Sequence, residues 1–303
     1  TATFTVSDTT APVITTCAPN QTVSANASCQ YAVPNFTTGV VATDNCTAAG
    51  SLIKTQAPTS GTMVGTGTHV ITITVRDAAG NESACQATLT VNDTTAPVIT
   101  TCASSQTLSA NVNCQAAVPN MTGGVVATDN CTPSGSLTIT QAPTADTIVG
   151  TGVTTVTITV RDAANNSATC SANLTVNDTT APVITTCAPN QTIPAGASCQ
   201  AAVPNVTGGV AATDNCTAAG SLTITQSPSA GTMVGAGTHT ITITVRDAAT
   251  NQASCTATLT VEDTTTPVIT TCPSDETVSA GPTCSVNLPD FTGSVVASDN
   301  CTL

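Results

Sequence analysis

The chain has 303 residues and a net charge of −13 from seventeen acidic and only four basic side chains. That balance argues against binding nucleic acid or an anionic membrane through a basic patch. Aromatics make up 1% of the sequence, and no apolar run approaches the ~18–20 residues that span a bilayer. Thr and Ser, rather than charge, must keep the surface wetted. No signal peptide is visible, which says nothing about export.

The organisation is periodic. The stretch DTTAPVITTC occupies residues 8–17, and close copies begin at Asp93, Asp178 and Asp263, an offset of 85 residues each time. Full repeats are therefore expected at 8–92, 93–177 and 178–262, with a shortened fourth at 263–303. The opening TATFTVSDTT matches 86–95 and 256–265, so residues 1–7 read as the last strand of a preceding repeat. The chain reads as a window on a longer array.

Within the first repeat, strands are expected at about 12–17, 29–34 and 51–57. A short strand follows near 62–64, a long one at 68–76, and a last one at 83–91. In HVITITVRD (69–77), Ile71, Ile73 and Val75 alternate with Thr72 and Thr74, the period-two signature of a half-buried strand. Leu89 and Val91 repeat it. Pro12, Pro34, Pro58, Gly61, Gly65, Gly67 and Gly80 punctuate the runs. Six or seven short antiparallel strands in 85 residues predict an all-β fold of tandem immunoglobulin-like sandwiches in an elongated array. Strands of about eight residues imply units some ~35–45 Å long once loops are added. With so few aromatics the core is thin, and covalent bridges should matter.

The cysteines fall in step with the repeat, as Cys17, Cys29, Cys46 and Cys85; Cys102, Cys114, Cys131 and Cys170; Cys187, Cys199, Cys216 and Cys255; then Cys272, Cys284 and Cys301. Four per repeat, with no pair two to four residues apart, favours disulfides over zinc and points to an oxidising, extracellular setting. The odd total follows from the shortened fourth repeat. Four cysteines allow three connectivities. Strand order puts the end of the first strand beside the start of the second, which pairs Cys17 with Cys29 and Cys46 with Cys85, and likewise down the array to Cys272 and Cys284.

These residues carry a family resemblance. DTTAPVITTC, the SC before the second strand, ATDNC (42–46) and VRDAAGNESAC (75–85) resemble the hyalin repeat, or HYR, family along the length of every repeat. The resemblance implies an immunoglobulin-like fold and a role in cell adhesion or extracellular surface architecture. One departure is the doubled TTC. Only Cys272 is followed by Pro, at Pro273, where the family more often has it.

Acidic residues are the remaining regularity. Eleven of the seventeen fill three slots: Asp8, Asp93, Asp178 and Asp263; Asp44, Asp129, Asp214 and Asp299; and Asp77, Asp162 and Asp247. In an antiparallel sandwich these three segments meet at one pole. Hard oxygen ligands suit Ca2+, with Asn81, Asn166 and Asn251 or backbone carbonyls completing the shell. The competing reading is turn capping by Asp, with Arg76, Arg161 and Arg246 neutralising the cluster.

Other chemistry is weak. His69 and His239 give way to Thr154 in the second repeat, and Lys54 to Thr138 and Thr223, so neither slot holds a recurring catalytic group. Sequons occur at Asn20, Asn35, Asn45 and Asn92, among others. A non-enzymatic stalk or filament of a cell surface or matrix is the leading reading. Its partners would be copies of itself along or across a fibre, and surface glycans. The alternatives are an adhesin whose repeats present a carbohydrate- or protein-binding tip, and a spacer attached to a secreted enzyme.

Overall fold

A computed structural model describes residues 1–301. The chain divides into two compact units. The first comprises Thr1–Gln106, Ala117–Ile148 and Val153–Thr175, and the second Thr107–Ala116, Val149–Gly152 and Val176–Leu303. Among the described residues helix is confined to single 3-10 turns such as Thr37–Gly39, and no helix is long and apolar enough to cross a membrane.

In the first unit, the first repeat forms eight strands: β1 (Val13–Thr16), β2 (Gln21–Ser24), β3 (Gln30–Ala32), β4 (Val41–Thr43), β5 (Ile53–Ala57), β6 (Met63–Gly65), β7 (Gly67–Arg76) and β8 (Glu82–Asn92). They make a four-stranded sheet in the order β2-β8-β7-β5, faced by the pairs β1-β4 and β3-β6. The core follows from strand parity. Ile71, Ile73 and Val75 of β7 and Leu89 of β8 are fully buried, while Thr72 and Thr74 turn outward. Val33, Phe36 and Val40 close over them from the facing layer. Burying each of these large side chains contributes about 1.5–3 kcal/mol.

Two strands were not foreseen, at 21–24 and 41–43, and they change the geometry. β1 pairs with β4, but β2 runs parallel to β8, with Gln21 opposite Leu89 and Ser24 opposite Asn92. The chain switches sheets across Ala18–Pro19–Asn20. Pro19 has no amide to extend the β1 ladder, and the Asn20 side-chain oxygen accepts the Thr88 amide at 2.9 Å, which seats the chain on the edge of β8. The first predicted strand ends at the switch, and an unforeseen strand continues the chain in the other layer.

The cysteine pairing expected from the sequence is corrected. Cys17 bonds Cys85, not Cys29, and Cys29 bonds Cys131 of the next repeat. Cys102–Cys170 and Cys187–Cys255 repeat the first link, while Cys114–Cys216 and Cys199–Cys301 repeat the second. Cys46, Cys272 and Cys284 carry free thiols. The sheet switch is the reason: Cys17 lies at the crossing, part-way along the sandwich, and Cys85 points inward in phase with Ala87 and Leu89. Their bridge joins the two layers through the core.

A recurring glutamine ties the loops to the strands. The Gln56 side chain accepts the Phe36 amide at 2.7 Å and donates to the Pro34 and Pro58 carbonyls at 3.0 and 3.1 Å. Gln141, also in the first unit, does the same for Met121, Pro119 and Pro143.

In the second unit the third repeat has the same plan. Gln191–Pro194 runs parallel to Gln252–Glu262, which pairs antiparallel with Gly237–Arg246 and through it with Thr223–Ser227. Ile241, Ile243, Leu259 and Val261 form its core, and Gln226 brackets Val206, Pro204 and Pro228. Val268–Thr271 pairs with Val296–Ser298 in the segment that follows.

Candidate functional site

Each full repeat gathers its three recurring aspartates. In the first, Asp8 precedes β1, Asp44 follows β4 and Asp77 follows β7. One carboxylate oxygen from each lies within 4.8 Å of the others, and the sets Asp93, Asp129, Asp162 and Asp178, Asp214, Asp247 do likewise. Asp263 and Asp299 occupy the first two slots of the fourth repeat, where Asp263 caps Thr265 and Asp299 caps Cys301.

The three carboxylates are held differently. Asp77 is 2% exposed. Its Oδ1 accepts the Gly80 and Asn81 amides at 2.6 and 2.8 Å, and its Oδ2 accepts the Asn81 side-chain amide at 2.7 Å. Desolvation acts to raise its pKa, but the hydrogen bonds from Asn81, Gly80 and Ala79 outweigh it and hold the carboxyl below its ordinary range. Asp44 uses Oδ2 to cap the Cys46 and Thr47 amides, and Asp8 uses Oδ1 to cap Thr10. That leaves Asp8 Oδ2 and Asp44 Oδ1 sequestered from solvent without a hydrogen-bond partner, as are Asp93 Oδ2 with Asp129 Oδ1 and Asp178 Oδ2 with Asp214 Oδ1. Sequestered oxygens left unpaired on clustered like charges are costly, so the same two bare oxygens in three repeats fit a cation. Ca2+ sits about 2.4 Å from its oxygen ligands, so two that share an ion lie at most about 4.8 Å apart.

Two expectations about this site need correcting. Arg76 does not neutralise Asp77; its guanidinium lies 3.7 Å from Glu82, with both side chains exposed, and Arg246 donates to Gln252. Adjacent strand residues face opposite ways, so Asp77 turns inward while Arg76 turns out. Asn81 presents its amide nitrogen, not its oxygen, to Asp77 and to the Asp8 carbonyl, and Asn166 and Asn251 behave alike. These asparagines bracket the cluster. His69 and His239 contact the Gly65 and Gly235 carbonyls, and Lys54 donates to the Val40 carbonyl; all three serve the strands.

A buried threonine, unmarked by any motif reading, completes the pole. Thr47 is 7% exposed, and its hydroxyl accepts the Ala78 amide at 3.2 Å. It thereby joins the Asp44 loop to the Asp77 turn, as Thr132 and Thr217 do in their repeats.

The aspartate pole is also where one repeat meets the next. In the first unit the turn Asn26–Gln30 stands at the end of β2, held by Asn26 Oδ1 accepting the Ser28 and Gln30 amides. Cys29 sits there at φ 58°, a left-handed conformation uncommon outside glycine. From this turn the Asn26 carbonyl accepts the Asn130 side chain at 3.1 Å, beside the Cys29–Cys131 bridge. In the second unit Asn111 accepts Asn215 and Gly196 accepts Asn300, beside their own bridges. The loops Asp129-Asn130-Cys131 and Asp214-Asn215-Cys216 thus contribute their Asp to an aspartate cluster and grip the preceding repeat with their Asn and Cys.

This combination of disulfide, Asp-Asn-Cys loop and aspartate pole coincides with a sequence-family match: the model of the HYR domain fits residues 7–91 and 177–261, more than half of the chain. The chain belongs to the HYR domain family. A curated relative, hyalin from Strongylocentrotus purpuratus, is 33% identical over 284 residues, covering 90% of this chain and 22% of the relative. The HYR chain thus spans about a fifth of that protein. Among solved structures, mouse cadherin-23 EC22-24 aligns with a TM-score of 0.38 at 12% identity, covering 84% of this chain and 99% of the other. Titin I67-I69 aligns with a TM-score of 0.36 at 9% identity, covering 83% and 98%.

Proposed function

We propose that these HYR repeats form an extracellular structural segment, a stalk or filament, in which Ca2+ and disulfides together stiffen each junction. The observation that carries the reading is the second class of disulfide. A bond from one repeat to the next, as between Cys29 and Cys131, resists bending and separation of the two repeats. Six cystines belong to an oxidising compartment, which supports export to a surface or matrix. The segment would associate with copies of itself and carry glycans at exposed sequons such as Asn35 and Asn92.

Ca2+ would be held by Asp93, Asp129 and Asp162 and by the corresponding aspartates of the other full repeats. It would neutralise their mutual repulsion and satisfy the two bare oxygens at each cluster. Asp93 lies in the linker after β8, so a cation there would lock the linker to the pole of the following repeat. The test is calorimetric titration of the chelated protein with Ca2+, together with thermal melts with and without the ion. Binding near three ions per chain and a higher melting temperature are expected. No heat and no shift would remove the cation and leave turn capping as the aspartates' work.

A further inference from the structure

We propose that the HYR repeats carry N-linked glycans on Asn35, Asn120 and Asn205 and none on Asn130 and Asn215, which are equally sequons. Export as argued above, on which this rests, brings the chain past the enzymes that attach such glycans. What each amide nitrogen does in the fold then selects the positions.

Asn-x-Ser/Thr occurs many times, yet only two slots hold it in every full repeat: Asn35, Asn120 and Asn205, and Asn45, Asn130 and Asn215. N-glycosylation replaces one of the two hydrogens on Nδ2 and leaves Oδ1 an acceptor. The folded chain therefore keeps a sugar only where Nδ2 is free and meets solvent.

The first slot satisfies that condition. Asn35 Oδ1 accepts the Thr37 amide at 3.0 Å and the Thr37 hydroxyl at 2.7 Å, and Asn120 and Asn205 do the same with Thr122 and Thr207. A backbone amide only donates, so it fixes the oxygen toward the turn and the nitrogen away from it. All three asparagines are exposed, and among the described residues their nitrogens have no hydrogen-bond partner. The middle residue anchors the orientation: Phe36, Met121 and Val206 are buried, with their amides held by Gln56, Gln141 and Gln226. In the fourth repeat Asp290 makes the same turn, accepting the Thr292 amide at 2.8 Å and its hydroxyl at 2.6 Å. The turn thus requires an oxygen alone, which leaves the three nitrogens without structural work.

The second slot fails the condition. Asn130 Nδ2 donates to the Asn26 carbonyl at 3.1 Å and to Cys131 Sγ at 3.3 Å, and Asn215 Nδ2 to the Asn111 carbonyl at 2.9 Å and to Cys216 Sγ at 3.4 Å. Both hydrogens are engaged, in the contact that the Cys29–Cys131 and Cys114–Cys216 bridges close. A sugar there would stand between the turn and the loop.

Transfer joins Nδ2 to the anomeric carbon of a lipid-linked oligosaccharide diphosphate. The bond from that carbon to the diphosphate oxygen breaks, the lipid diphosphate leaves with the electron pair, and an Nδ2 proton passes to a base of the transferase. The tripeptide is open to an enzyme before Phe36 and its counterparts are buried, and folding then decides which sugars a bridged chain tolerates.

The experiment secretes the full chain from a eukaryotic host that performs N-glycosylation. An amidase in heavy-oxygen water then converts each glycosylated Asn to labelled Asp, and the unreduced digest is mapped. Label is expected at Asn35, Asn120 and Asn205, and none at Asn130 or Asn215 in peptides that contain the closed bridges. Thr37→Ala and Asn35→Asp should each remove the Asn35 glycan alone. In chain made by a host without the pathway, Asn35→Asp should leave the melting temperature unchanged; a drop would show the nitrogen holding the turn and overturn the assignment. Bare asparagines at all three positions, or sugar on Asn130 or Asn215 within a bridged junction, would overturn it as well. The same digest reports the Cys29–Cys131 peptide, so failure of the glycan assignment is told apart from failure of the structural role.

Discussion

Serine substitution at Cys29 and Cys131, singly and together, is the most informative perturbation of the array. The two lie 102 residues apart, and closing so long a loop restricts the unfolded chain by about 4.7 kcal/mol in the entropy model. The Cys17–Cys85 bridge, which closes 68 residues, shortens the route from Cys29 to Cys131 to about 58 residues, which lowers the worth of the second bridge to about 4.2 kcal/mol. Against the 5–15 kcal/mol typical of a domain, that loss is large and readable by urea denaturation. Cys29→Ser and Cys131→Ser should each cost this amount, and the double variant no more, because both changes break one bond. Cys17→Ser combined with Cys29→Ser should instead come close to the sum. Equal and non-additive losses for Cys17 and Cys29, or a Cys17–Cys29 peptide in a non-reduced digest, would refute the assignment of bridges between repeats.

Further outcomes follow from the poles and loops. Gln226→Leu deprives the Val206 amide and the Pro204 and Pro228 carbonyls of their partner, so a loss of about 2–4 kcal/mol is expected in chemical denaturation; a loss below 1 kcal/mol would show that water replaces the bracket. Asp129→Asn removes one of three clustered charges in the second repeat, so it should stabilise that repeat in chelator yet remove one of the three Ca2+ sites and that site's share of the stabilisation; an unchanged number of bound ions, or the same shift in both conditions, would argue against an ion held there. Because the Asp77 pKa lies below its ordinary 3.8, its contribution is present above that value and lost as pH falls through the folded value. The stability gap between the native protein and Asp77→Asn should therefore close under acid, and a gap equal at pH 2 and pH 7 would count against it.

Inward parity was already written in the residues of β8. Cys85 is in phase with Ala87, Leu89 and Val91, which marks it as a core-facing cysteine rather than a loop one. The expected pairing put Cys17 at the far pole because it took 12–17 as one strand running the length of the sandwich. Only the sheet switch at Pro19 and Asn20 brings Cys17 over β8. Gln56 and Thr47 carried no motif at all, since a glutamine or threonine in a Thr-rich chain looks like surface until the loops it brackets are folded around it.

Periodicity by itself determined the all-β repeat, the alternating core of β7 and β8, and the recurrence of cysteine and aspartate at fixed phase, because these depend on residues near one another in sequence. The partner of each cysteine, the orientation of Asn81 and the bare oxygens of Asp8 and Asp44 were decided by tertiary structure alone. They depend on which layer a strand joins and which repeat a turn touches, and a strictly repeating sequence offers the same residue in every repeat, so spacing cannot tell a bond within a repeat from one to its neighbour.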